Sequence, residues 1–205
     1  MEWLTPPAGW ALEGTAVCAA RIHGEPPPLH PAERSAVDGA AEVRRREFAF
    51  GRAALREALV AAGCTTTGPL VRRPDRSPDL PATHAASLSH SREIAAAAAS
   101  SRERWRALGI DVEAIRPLDP GIDAIVRTPV DRGDTLALFS AKEAMFKAWY
   151  AAGGGRLTEF HEFSLHLHPG GAVEVLVQPE PQRRLTGRIA LAHGHWWSIA
   201  GIEER

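Results

Sequence analysis

Asp111 and Glu113 stand two residues apart in the segment LGIDVE. If that segment is extended, both carboxylates leave one face while Ile110 and Val112 turn to the other. Two oxygen donors side by side suit a hard cation such as Mg²⁺, although a solvated strand end is the plainer reading of D-x-E alone. Further along, LFSAKEAMFKAWY (138–150) sets Glu143 between Lys142 and Lys147. The 24 basic residues of the chain are 22 arginines and these two lysines. Arginine is a rigid, permanently charged fork, whereas lysine is a compact ammonium on a flexible stem. Keeping lysine in this one helix marks the helix for chemistry. Taken singly, Ser140-x-x-Glu143 reads as a capping box at the start of the helix, and Glu143 and Lys147 as an i,i+4 surface pair. Together, a carboxylate and an ammonium on one stripe, with Phe139, Met145, Phe146 and Trp149 giving apolar contact, suit a metal–phosphate site. The acid would complete a cation site and Lys147 would neutralise phosphate oxygens.

Other candidates are anion-directed. His90 lies between serines in ASLSHSRE, where it would donate to a phosphate unless it is an ordinary structural histidine. Arg44, Arg45, Arg46, Arg52, Arg56, Arg72, Arg73 and Arg76 crowd one third of the chain, as a solvated helix face or as a local anion site. The net charge of −1 argues against a general nucleic-acid binder. MEWLTPPAGW lacks the pattern of a secretory leader, and no apolar run approaches the roughly 20 residues that span a bilayer. Cys18 and Cys64 have neither metal-ligand spacing nor a disulfide framework, so a reduced, cytoplasmic protein is expected.

The elements that must position these groups follow from periodicity. The segment from Trp10 to His23 reads as one or two strands, and EPPPLHP as a loop, since consecutive prolines remove donors. Ala32 to Ala62 reads as helix broken near Asp38-Gly39, capped by Gly63. SLSHS has strand alternation. IAAAAAS is open, because alanine favours helix while the short run between turn residues fits a buried strand. LGIDVE is a strand, 116–135 a loop with one helical turn, and Ser140 opens the lysine helix, which ends before Gly153. FSLHLH, AVEVLVQ, GRIALAH and WWSIAGIE alternate with period two and predict an antiparallel sheet.

GIDVE at 109–113 and FSAKEAMFK at 139–147 match throughout the patterns G-[IV]-D-x-E and [FW]-[ST]-x-K-E-[AS]-x-x-K. In order and separation they resemble the 4′-phosphopantetheinyl transferases that activate carrier proteins of peptide, polyketide and siderophore synthesis. Upstream, RRREFAFGRAALREAL, RSPDLP and SLSHS resemble segments of the enterobactin-synthetase-activating branch. Ala86 stands where that branch often has glycine.

The resemblance implies an α+β fold of two similar halves with pseudo-twofold symmetry. Each half would be a helix packed on a small antiparallel sheet, with the active site between them, residues 1–105 forming one half and 106–205 the other. It also implies that IAAAAAS is a strand. Asp111, Glu113 and Glu143 would bind Mg²⁺, or Mn²⁺, on the pyrophosphate of coenzyme A, with Asp111 and Lys147 also touching the substrate. Lys142 would lie near the pyrophosphate. Ser89 and His90 would hold the 3′-phosphoadenosine end, helped by Arg44, Arg52, Arg72 and Arg76. Glu143 and Lys147 would be catalytic, in transfer of the arm to a serine of an apo acyl or peptidyl carrier protein. A monomer is expected, with no nucleic acid or membrane as partner. The alternatives are a non-catalytic carrier- or nucleotide-binding protein of the same fold, or a nucleic-acid binder using the arginine helix.

Overall fold

The computed structural model describes residues 1–65, 68–155 and 159–203. Two antiparallel sheets and two long helices organise it. The first sheet takes β1 (Trp3–Leu4), β2 (Ala16–Arg21), β3 (His84–His90) and β4 (Ile94–Ser101) in the order β1-β2-β4-β3. Helix α1 (Glu42–Ala61) links β2 to β3 and packs on this sheet. The second sheet takes β5 (Trp105–Ala114), β6 (Ser164–Leu167), β7 (Ala172–Val177), β8 (Leu185–Ala192) and β9 (His195–Glu203) in the order β5-β9-β8-β7-β6. A short α2 (Ile122–Val126) and the long α3 (Thr135–Ala151) link β5 to β6, with α3 on the sheet. Each half therefore runs strand, helix, antiparallel hairpin or meander, and in each the last strand returns beside the strand that precedes the helix, β4 beside β2 and β9 beside β5. This is the α+β, two-half plan expected from the motifs.

The break in the first helical region is real: Pro31–Val37 forms a 3₁₀ turn and Gly39 adopts φ 70°, a left-handed conformation suited to glycine. IAAAAAS is β4, the strand between β2 and β3. Ala95 to Ala99 are completely buried because both faces of the strand are covered. Ala97 and Ala99 meet Ala54, Leu55 and Ala58 of α1, while Ala96 and Ala98 join the layer of Leu108, Ile110 and Val112 from β5. Methyl side chains let helix, sheet and second sheet lie close, and that packing overrides alanine's helical propensity.

The start of α3 differs from expectation. Asp134 is the N-cap, its carboxylate accepting from the Ala137 amide at 3.0 Å. Ser140 lies fully buried in the second turn and caps nothing. The helix had looked shorter because TLALF is apolar and carries no turn residue between Asp134 and Ser140.

Candidate active site

Helix α3 crosses β5 at Gly109 without a gap. A Cβ built there would stand 1.9 Å from the Ala144 carbonyl oxygen, so only glycine admits the crossing. Residues 143 and 147 flank Ala144 on the helix, and residues 111 and 113 follow Gly109 on the strand. The close crossing thereby gathers the groups singled out in the sequence.

Lys147 is the centre of the arrangement. Its ammonium donates to Asp111 Oδ1 at 2.8 Å, to the Ile110 carbonyl at 2.9 Å and to Ser89 Oγ at 3.2 Å. Ser89 Oγ donates in turn to Asp111 Oδ1 at 2.8 Å. Lys147 is thus an ion-pair partner of Asp111 and not of Glu143, so the simple helix-surface pair is set aside. Asp111 Oδ2 is buried with no hydrogen-bond partner among the described residues. Burial first, and then the neighbouring charge of Asp111, raise the Glu113 carboxyl to about 7. Glu143 is also pushed up, chiefly by burial, with Lys147 opposing and Asp111 adding to the shift. The charges of Asp111, Glu113 and Glu143 act on one another and on the Lys147 ammonium, and one buried carboxylate oxygen has no donor among the described residues. An oxygen-rich, anionic set of this kind fits a divalent cation, which would supply the missing positive charge.

Beside it opens a cleft of about 1040 Å³, lined by Arg44, Arg52, Arg72, Arg76, His90 and Lys147 among others. This is ample for a nucleotide-sized ligand. Arg52 is buried on the Phe48 ring, 4.3 Å from its centroid, with Nε donating to the Leu70 carbonyl at 2.8 Å. Burial lowers its guanidinium to about 10, and the neighbouring charges of Arg56, Arg44 and Arg72 act in the same direction against Glu33. Such a concentration of cation invites an anion. His90 Nε2 accepts from Arg44 Nη1 at 2.7 Å, which leaves Nδ1 as the protonated nitrogen, 3.6 Å from Glu47. Burial holds its pKa below the usual histidine value; Glu47 opposes this and Arg44 reinforces it.

Two assignments change. Lys142 does not reach the cleft. It is fully buried, donating to Asp131 Oδ2 and to the Val126 carbonyl, each at 2.7 Å. Asp131 also accepts the Thr128 and Leu165 amides, so the pair pins the 126–131 loop and β6 to α3. Five positions along a helix turn a side chain through well over a third of a circle, and the two lysines point apart for that reason. Ser89, expected at the nucleotide end with His90, instead bonds Asp111 and Lys147 at the acidic end, because successive strand residues face opposite ways.

Two contributors were missed. Tyr150 lines the cleft one helical turn beyond Lys147, and its hydroxyl donates to Asp75 Oδ2 at 2.9 Å, fastening the 72–80 loop to α3. The i,i+3 spacing to Lys147 was the available signal. Glu33 is fully buried and accepts the Leu70 amide at 2.7 Å and the guanidinium of Arg56. It fixes the residue whose carbonyl holds Arg52, and nothing local in PAERS announces this.

Comparisons with known proteins agree with the geometry. Residues 32–100 match the model of the 4′-phosphopantetheinyl transferase N-terminal domain, and 107–194 that of the 4′-phosphopantetheinyl transferase superfamily. The 4′-phosphopantetheinyl transferase Svp of Streptomyces mobaraensis is 34% identical over 193 residues, covering 85% of this chain and 76% of Svp. Npt of Nocardia iowensis is 34% identical over 133 residues, 59% of each chain. PptT of Mycobacterium tuberculosis is 31% identical over 144 residues, 64% of this chain and 63% of PptT. With both family models matched in order across the two halves that build the site, the chain belongs to the 4′-phosphopantetheinyl transferase superfamily.

Proposed function

We propose that this enzyme transfers 4′-phosphopantetheine from coenzyme A to a serine hydroxyl of an apo acyl or peptidyl carrier protein, with Mg²⁺ or Mn²⁺ required. The observation that carries the reading is the double position of Lys147, which lines the arginine-rich cleft and also bonds Asp111 of the acidic cluster. A ligand with an anionic nucleotide end and a pyrophosphate could satisfy both at once.

In this reading the N-terminal half, residues 1–105, grips the 3′-phosphoadenosine through Arg44, Arg52, Arg72, Arg76 and His90. The C-terminal half, residues 106–205, holds the reacting phosphates. Asp111, Glu113 and Glu143 would hold the divalent ion, which when bound offsets pyrophosphate charge and favours in-line attack. Glu143, with a raised pKa, accepts the proton of the incoming serine. The serine oxygen bonds to the phosphorus bearing the pantetheine arm as the bond to the bridging oxygen breaks. Adenosine 3′,5′-bisphosphate leaves, and Lys147 meets the charge that grows on it. Ser89 keeps Asp111 and Lys147 in register through its hydroxyl. One chain carries both halves of the site, which supports a monomeric enzyme.

The test is the mass of apo carrier proteins incubated with this protein, coenzyme A and Mg²⁺. One added phosphopantetheine on the carrier serine, lost when coenzyme A or the metal is omitted, is the expected result. Coenzyme A binding without any mass change across a broad carrier panel would favour a non-catalytic binder.

A further inference from the structure

At the far edge of the second sheet, β6 carries His166 with His168 just past its end, and β7 carries Glu174 directly opposite His166. His166 and His168 are two apart, so their imidazoles leave one face, while Leu165 and Val173 belong to the core and Leu167 packs against it. Glu174 Oε2 lies 2.9 Å from His168 Nε2 and 3.5 Å from His166 Nδ1. The two rings lie against each other with centroids 4.1 Å apart. One ligand atom from each of the three residues fits within a span of 4.8 Å. The ion pairs of Glu174 among the described residues are with these two histidines, and no lysine or arginine neutralises it.

We propose that His166, His168 and Glu174 form a second metal site, separate from the acidic cluster, for a borderline divalent ion of the Zn²⁺ class. Bond lengths near 2.0–2.1 Å to nitrogen and oxygen put tetrahedral ligands about 3.3 Å apart. The observed 2.9 and 3.5 Å separations bracket that edge. Two imidazoles select against Mg²⁺ and Ca²⁺, which prefer all-oxygen sets, and the remaining position is open to water or an outside ligand. The ligands are also held in advance. The Arg132 amide donates to the Leu165 carbonyl at 2.9 Å and Arg132 accepts from the Leu167 amide at 2.8 Å, while the His168 amide donates to Ala172 at 2.9 Å. The turn between the strands closes through Gly171 at φ 79°, where a Cβ would meet the Ile189 carbonyl oxygen at 2.5 Å. An ion here would cross-link both strands of an edge hairpin whose ligands are half exposed.

The test titrates Zn²⁺ calorimetrically into the 205-residue chain in excess Mg²⁺, with Co²⁺ absorption as the spectroscopic probe. One Mg²⁺-resistant Zn²⁺ per chain is expected. H168Q and E174Q should each weaken it at least tenfold and H166Q/H168Q should remove it, whereas D111N should keep it. Zn²⁺ should raise the melting temperature of the wild type but not of H166Q/H168Q, whose zinc-free melting and transferase activity stay at the wild-type level. The absence of a Mg²⁺-resistant Zn²⁺ site, or its persistence unchanged in H166Q/H168Q, would overturn the proposal.

Discussion

Replacing Lys147 by alanine removes an ammonium that bonds Asp111 and borders the cleft. The maximal rate should fall by about 10²–10³, as for other groups that meet transition-state charge. Lys147→Arg should also be severely slow, because a guanidinium is broader and cannot sit within reach of Ile110, Ser89 and Asp111 together. Full activity of the arginine variant would reduce the residue to a point charge. Lys142→Met gives the opposite pattern. It leaves Asp131 buried without its partner, at a cost of about 3–5 kcal/mol and so roughly 10 °C in Tm. Melting, not substrate affinity, is where its effect should appear. Glu113 supplies a pH signature. Its folded pKa of about 7 lies above the usual glutamate value of 4.5, so its share of stability is full below about 4.5 and lost as pH rises through 7. Without metal, Tm should therefore decline over that window, and Mg²⁺ should restore more of it at pH 8 than at pH 6. In Glu113→Gln the decline should flatten; an unchanged slope would remove Glu113 from the cluster.

Among the elements, the crossing of α3 over β5 carries the most weight. Gly109→Ala forces the helix off the strand, at about 1–3 kcal/mol or more, and shifts Glu143 and Lys147 from Asp111. Loss of both Tm and kcat is expected, while Gly24→Ala, with open space around it, should lower stability modestly and leave the rate intact. Much of this was legible beforehand. GIDVE reads as a strand by alternation and FSAKEAMFK as a helix by its spacing, so the acids and Lys147 are marked as one site, although the sequence pairs Lys147 with Glu143 and the structure pairs it with Asp111. What the chain hid is long-range. Lys142 looks like a site residue until Asp131 is seen across from it in a buried loop. Asp134 caps a helix that Ser140 seemed to open, because an apolar first turn carries no boundary mark. Glu33 owes its role to Leu70 and Arg56, partners brought together only by the fold.

At the scale of the molecule, the proposed function divides work between the halves. Arg44 and His90 come from α1 and β3, the acids and Lys147 from β5 and α3. His90→Ala and Arg44→Ala should thus raise KM for coenzyme A more than they lower kcat. Both should also discriminate less than wild type between coenzyme A and its dephospho analogue. Asp111→Asn should do the reverse, abolishing turnover while coenzyme A binding survives. Equal losses in kcat from both sets would mean that the cleft and the acidic cluster do not serve separate ends of one substrate.

The strand order has a consequence for biosynthesis. Asp111 and Glu113 sit on β5, whose neighbour in the sheet is β9, with Ser198 and Trp196 opposite the two acids. Everything from α2 to β8 lies between these partners along the chain. On the ribosome, the first half can close its sheet early, whereas the acidic strand waits, edge exposed, until β9 is made. A nascent chain can therefore pair the strands of its arginine-bearing half while its acidic half is still unassembled. A stop codon ahead of His195 would leave that edge permanently open and yield a protein that seeks pairing with other chains before it catalyses anything.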